Sequence, residues 1–257
     1  MQNTMPDMHT LITNGTMIFG TYLFMYFVIY KILKYCNAEF WNLSKFENEF
    51  NVERSKGISL ENSKKNKRLY IVKNYVKSLV LGIFCYRAVY QAYVILFAID
   101  SFDIFDLQLN TLAYVFTDTI GLLIVPNLPI NTKLHHITTN LLGVYVLSAT
   151  YSNVCSSFLP VLYASFSALS FIVNFYLAYR CHSMSEENKK ILSKISYWVY
   201  ASTSVMNWFV QIYYMIVVFI NGEYVFPTMY IACLYTIIKD DIILMRWLKN
   251  DFETKNK

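Results

Sequence analysis

The stretch YVFTDTIGLLIVPNLPINTKLHHITTNLLGVY, residues 114–145, sets the terms for the rest of the chain. It consists of two apolar runs joined by a short turn containing Pro126 and Pro129. The first run carries Asp118 in its middle, and the second opens on the adjacent pair His135 and His136. Ionisable groups inside apolar segments of this kind are costly in lipid, face a bundle interior and are kept mainly for function.

Working outward, the composition is that of a membrane protein. The chain of 257 residues is 56% hydrophobic and 15% charged, whereas a soluble domain carries roughly 25% charged residues. Helical spans of about 20 residues each take up most of its length and leave no room for a separate soluble domain. The fold expected is an all-α, polytopic bundle of about seven transmembrane helices. Five cysteines, Cys36, Cys85, Cys155, Cys181 and Cys233, lack C-x-x-C spacing and read as small packed hydrophobes rather than a disulfide or zinc framework.

The expected spans follow in order. Residues 1–35 hold a short tail, unlike the basic start of a cleaved signal peptide, and a signal-anchor helix over 17–35 ending at Lys31 and Lys34. Asn14-Gly15-Thr16 is a glycosylation sequon on the outer side. Residues 36–73 form a basic cytosolic loop. Its Phe40, Trp41, Leu43, Phe46 and Phe50 read either as an interfacial helix or as stray aromatics in an irregular segment. Residues 74–251 hold six further spans, near 77–99, 107–125, 134–151, 157–179, 195–220 and 225–248, and 252–257 form a cytosolic tail.

Charge placement orients this topology. Of 22 Lys and Arg residues, all but Arg87 and Lys239 fall in segments on one side of the spans or at their flanking ends. The positive-inside rule then puts the N-terminus outside and the C-terminus in the cytosol. This distribution, rather than the net charge of +5, argues against a nucleic-acid partner.

Depth follows from orientation. Asp118 lies seven residues before Val125, roughly 10 Å above the cytosolic edge at about 1.5 Å per residue. His135 and His136 start at that edge, and Lys239, Asp240 and Asp241 lie in the inner part of the last span. A pocket in the cytosolic half of the bilayer is therefore expected, with His135, His136 and Asp118 as candidate catalytic residues. Histidine serves as base, nucleophile or metal ligand near neutrality, and a carboxylate such as Asp118 or Asp240 fixes its tautomer. The alternative is that these groups only bond two helices together.

Other buried polar residues are candidate substrate or lipid contacts. Tyr163, Ser167 and Asn174 recur with Pro160 and Ser170 at three- and four-residue steps, which lines one helix face. Asn207 and Gln211 lie one turn apart. Arg87 reads as an ion-pair partner or as an anchor for an anionic group. Lys239 can snorkel, and Asp240 and Asp241 divide between neutralising a cation and lining the pocket. No metal site is expected, because only His9, His135, His136 and His182 are available and no spaced histidine boxes occur. A receptor reading lacks D-R-Y-like and N-P-x-x-Y-like endings on the third and seventh spans.

Asp118 followed by KLHHITTNLL at 133–142 resembles the core of the TLC family, named for its TRAM, LAG1 and CLN8 members. The His-His-x-Thr-Thr string is similar to that of ceramide synthases, and KSLVLGIF at 77–84 resembles the start of the TLC domain, where members often have histidine in place of Lys77. The resemblance implies an N-terminal anchor plus a six-helix core, and an endoplasmic-reticulum protein acting on, sensing or moving lipids. In place of the ceramide-synthase His-Asp-x-x-Asp string the chain has LYASFS at 162–167, with no acid; its size is closer to the smaller TLC-domain proteins.

Three functions follow as expectations. One is a TLC-domain protein of lipid homeostasis that binds or processes a lipid or acyl substrate around His135, His136 and Asp118. Another is an N-acyltransferase of ceramide-synthase type, with acyl-CoA as co-substrate and no bound cofactor. The third is a membrane cargo or trafficking factor without catalysis. Membrane lipids are the expected partners, and the sequence is silent on oligomeric state.

Overall fold

The computed structural model describes residues 8–35, 51, 54–55, 58–98, 103–149, 151, 154–182 and 185–253. Eight helices organise them: α1 (Met8–Tyr35), α2 (Leu60–Phe97), α3 (Ile104–Ile124), α4 (Ile130–Ser148), α5 (Phe158–Ala168), α6 (Phe171–Tyr179), α7 (Glu186–Ile220) and α8 (Val225–Glu253).

Helix ends follow local chemistry. Ser59 caps α2 by accepting from the Asn62 N–H at 3.3 Å, and Ser185 caps α7 by accepting from Asn188 at 3.2 Å. Asp103 caps α3 through the Phe105 N–H at 2.8 Å. The α3–α4 turn falls where the prolines require it. Val125 is extended, at ψ 104°, as the residue before a proline is forced to be.

The break between α5 and α6 bends the chain by 48°. Serine and asparagine side chains take up the carbonyls near the break: Ser170 Oγ donates to Ser167 O at 2.6 Å, and Asn174 Nδ2 donates to Ser170 O at 3.1 Å. Ser78 of α2 donates to Phe171 O at 2.8 Å and ties the bend to its neighbour. Side-chain partners of this kind are how an interrupted apolar helix keeps its backbone satisfied.

Helices α2, α3, α4, α8, α7 and the bent α5–α6 pair follow one another in a closed ring, each packed on the next, and α1 lies outside against α2 and α3. The end holding the C-terminus of α2 and the N-termini of α3, α5 and α8 is densely packed. Leu107, Phe158, Leu159, Leu162, Val218 and Tyr230 form its apolar core. Outward faces are also apolar: Ile83, Leu141, Phe209, Ile216 and Ile220 are exposed. Polar side chains instead point inward, among them Asn74, Asp118, Asn207, Gln211 and Asp241. Apolar outside and polar inside is the arrangement that lipid, not water, selects.

The ring is drawn tight by Gly143 of α4. A Cβ there would stand 2.5 Å from Val115 Cγ2 of α3, so only glycine permits this approach. His136, Thr139, Gly143 and Val146 share the inward face of α4, and close contact at Gly143 holds His136 against α3 two turns away.

Among the described residues four helices are long and apolar enough to cross a membrane, Ile12–Tyr35, α2, α3 and α7, or five spans if the bent α5–α6 pair is one. The described residues are thus helical, with the length and apolarity of an integral-membrane bundle. Helices α4 and α8 fall below that apolarity; among their polar residues, Thr132, His135 and His136 on α4 and Asp240 and Asp241 on α8 face one cavity. These two helices are neighbours in the ring.

Several sequence expectations change in detail. The stretch expected as loop up to Lys73 is helical from Leu60, and α2 runs unbroken to Phe97. Lys73 and Lys77 are thereby buried inside the bundle and do not flank a span. The fifth expected span is the broken α5–α6 pair. Asn14 of the sequon lies within α1. The aromatics at Phe40, Trp41, Leu43, Phe46 and Phe50 lie outside the described residues. Cys85, Cys155, Cys181 and Cys233 form no disulfide.

Candidate functional site: a polar cavity at the loosely packed end

Opposite the dense apolar end, the ring encloses a cavity of about 340 Å³. Each helix contributes from its inward face. Lys73 and Lys77 on α2 are four residues apart and so point the same way. Helix α4 supplies Thr132, His135 and His136, the α5–α6 bend supplies Ser167, Ser170 and Asn174, α7 supplies Tyr200, and α8 supplies Asp240 and Asp241.

Asp118 stands immediately behind this wall and is fully buried. Lys77 Nζ lies 2.5 Å from its Oδ1, and His136 Nδ1 lies 3.1 Å from the same oxygen. The imidazole contact is close but poorly aligned for a hydrogen bond. Both ring nitrogens of His136, and Oδ2 of Asp118, have no hydrogen-bond partner. Around them the backbone is held firmly. Asn140 Nδ2 donates to His136 O at 2.7 Å, and Thr119 Oγ1 reaches across from α3 to Asn140 Oδ1 at 2.5 Å.

The second histidine faces the other carboxylate. His135 Nδ1 lies 3.6 Å from Asp240 Oδ2, whose Oδ1 accepts from Thr132 at 3.3 Å. The two rings are perpendicular, at 87° with centroids 5.5 Å apart, as the 100° step between adjacent helical residues requires. Asp241 serves differently. Both its oxygens are occupied, by the Tyr163 hydroxyl and by the Tyr200 hydroxyl at 2.6 Å, so it ties α5 and α7 to α8.

The sequence-predicted residues divide accordingly. His135, His136, Ser167, Asn174, Asp240 and Asp241 line the cavity, and Asp118 touches it through Lys77 and His136. Tyr163 meets the site only through Asp241. Asn207 and Gln211 lie deeper, where Gln211 Nε2 donates to Leu159 O at 3.2 Å and accepts at Oε1 from Tyr230 at 3.1 Å. These bonds join α5, α7 and α8 away from the cavity. Arg87 is half-exposed and sits 3.9 Å from Asp106, a surface pairing worth little. Lys239 is exposed.

Sequence reasoning passed over Lys73, Asn74, Lys77, Tyr200 and Trp247 as site residues. The i, i+4 lysine pair was the available signal. It was masked by placing the boundary of the span at Lys77.

Chemically, Lys77–Asp118–His136 is a cation, a buried carboxylate and an imidazole in sequence. The carboxylate beside the ring favours a proton held there, and the neutral imidazole is of the type that serves as base or nucleophile. Asp118, His135 and His136 also offer ligand atoms within 4.8 Å of one another, a spacing a metal ion could use. The Lys77 ammonium already occupies the shared carboxylate oxygen and competes with such an ion.

Fold and site together define an all-helical bundle of membrane character around a polar, histidine-bearing cavity. No family model, no curated protein and no solved structure matches the chain. The functional reading therefore rests on the residues and their geometry.

Proposed function

We propose that this chain is a multi-pass membrane protein of lipid homeostasis, resembling the TLC family, which binds or processes a lipid or acyl substrate in the cavity beside His135, His136 and Asp118. In this reading the chain crosses the endoplasmic-reticulum membrane seven times, with α4, α8 and the bent α5–α6 pair as spans, its N-terminus lumenal and its C-terminus cytosolic. The one-sided Lys and Arg distribution supports that orientation. A ring of six helical elements with a peripheral α1 agrees with the anchor-plus-core plan that the resemblance implies.

The observation that carries the proposal is the cavity itself. It holds about 340 Å³, within the range of small-molecule sites. Its walls combine imidazoles without hydrogen-bond partners at buried ring nitrogens with apolar Val173, Leu177, Leu244 and Trp247. A polar head with an apolar tail is the ligand such walls match. Native mass spectrometry of the protein purified from membranes is expected to show a retained lipid, with occupancy altered in His136→Ala. Wild-type protein that stays lipid-free after incubation with a membrane lipid extract would overturn the proposal.

One observation favours a catalytic version. Each histidine has its own carboxylate, His136 with Asp118 at 3.1 Å and His135 with Asp240 at 3.6 Å. In an acyl-CoA-dependent N-acyltransferase these pairs stand in for the missing acids of the ceramide-synthase string. The imidazole takes the proton of the attacking amine, an amide forms and coenzyme A leaves as its thiol. Amide product from acyl-CoA and a sphingoid base supports this version. Its absence with folded, lipid-bound protein rejects it and leaves the binding role standing.

A further inference from the structure

The charged groups around the cavity do not pair off evenly. Lys77 is matched by Asp118, His135 faces Asp240, and both oxygens of Asp241 are filled by tyrosine hydroxyls. Lys73 is left over. It lines the cavity and is 7% exposed. Among the described residues it has neither an ion pair nor a hydrogen bond. Its Nζ lies 5.7 Å from the centroid of the Tyr70 ring. Lys77 repels it, and Asp118 and Asp240 attract it without touching it.

The stem of Lys73 is packed inside the bundle. Its Cγ, Cδ and Cε pass 3.6–3.7 Å from where a Cβ on Gly121 of α3 would be. The stem thus packs along α3 at Gly121 in ordinary van der Waals contact. An ammonium guided through a helix interface into a cavity, with Asp118 and Asp240 near but not in contact, is incompletely compensated, and an anionic ligand placed against it offsets that cost. The His136 ring, whose two buried nitrogens have no hydrogen-bond partner among the described residues, lines the same cavity wall.

We infer that Lys73 anchors an anionic group, a carboxylate or phosphate, on the molecule that occupies the cavity, with the His136 imidazole on the same wall. A cavity of about 340 Å³ takes such a head group and the first part of a chain. Val173, Leu177, Leu244 and Trp247 form the apolar wall along which that chain lies. The inference rests on the reading of the cavity as a lipid site and adds the charge class of its ligand.

The test measures binding of oleate, oleyl alcohol and inorganic phosphate to purified wild type, Lys73→Met and Lys73→Arg. Methionine keeps the length of the stem without the charge, and arginine restores the charge. Wild type is expected to bind oleate at least tenfold more tightly than oleyl alcohol. Lys73→Met is expected to erase that preference, and Lys73→Arg to retain it. Thermal unfolding of ligand-free Lys73→Met is expected at or above the wild-type temperature, since a buried unpaired charge is removed. Lys73-dependent binding of phosphate without oleate binding keeps the anion site and assigns it to a free anion. Equal binding of oleate and alcohol in all three proteins overturns the anion inference while the lipid site stands. Failure of wild type to bind any of the three removes both.

Discussion

Replacing Asp118 by asparagine tests how the buried charges are balanced. The Lys77 and Asp118 side chains are 10% and 0% exposed and 2.5 Å apart, and His136 Nδ1 shares the carboxylate at 3.1 Å. Neutralising Asp118 leaves the ammonium in the interior with its counter-charge gone. Breaking a buried pair from one side costs about 3–5 kcal/mol. At roughly 2–4 °C per kcal/mol for a chain of this size, the unfolding temperature in detergent is expected to fall on the order of 10 °C. The double variant Lys77→Met/Asp118→Leu removes both charges and fills their volume. Exchanging a buried pair for apolar groups is about neutral or stabilising, so its unfolding temperature should return to within a few degrees of wild type. Its lipid occupancy should not return, because His136 has lost its carboxylate. Thermal unfolding by intrinsic fluorescence and native mass spectrometry on the same preparations separate the two effects. Should Asp118→Asn unfold at the wild-type temperature, or the double variant as low as the single one, the ion pair does not have the role argued for it.

Gly143→Ala places a methyl 2.5 Å from Val115 Cγ2; overpacking of this kind costs about 1–3 kcal/mol, and Val115→Ala in the same chain should recover part of the loss in thermal unfolding. Gln211→Leu removes bonds to Leu159 O and the Tyr230 hydroxyl and should cost about 1–3 kcal/mol. Its lipid occupancy in native mass spectrometry should match wild type, because Gln211 lies outside the cavity. Arg87→Gln should leave both stability and lipid binding within error, given the exposed 3.9 Å pairing with Asp106.

How much of this was legible in the sequence depends on what each residue's signal encodes. Helix identity and the Pro126–Pro129 turn were legible, since apolar runs and prolines act locally. Asp118, His135 and His136 were legible as a group because ionisable residues stand out in apolar runs. Lys77 was not, because a lysine at the edge of an apolar run reads as a flanking charge. Only the extension of α2 back to Leu60 turns it inward. Asn207 and Gln211 had the same inward periodicity as the cavity residues. Periodicity reports which face is buried, not at what depth, so it could not separate a helix-joining amide from a pocket amide. The α5–α6 break was also hidden: neither Gly nor Pro marks it, and the serines that satisfy it are ordinary helix-face residues in the sequence.

The central claim is that the occupant of the cavity is a lipid held beside the two histidines. Photo-crosslinking with an anionic lipid probe carrying a diazirine near its head group, followed by peptide mapping, tests it most directly. The account predicts labelling within 70–77, 128–136 or 240–247, abolished by excess unlabelled lipid. Labelling confined to the outward faces around Ile83, Leu141, Phe209 and Ile216, with those three segments unmarked, would contradict it.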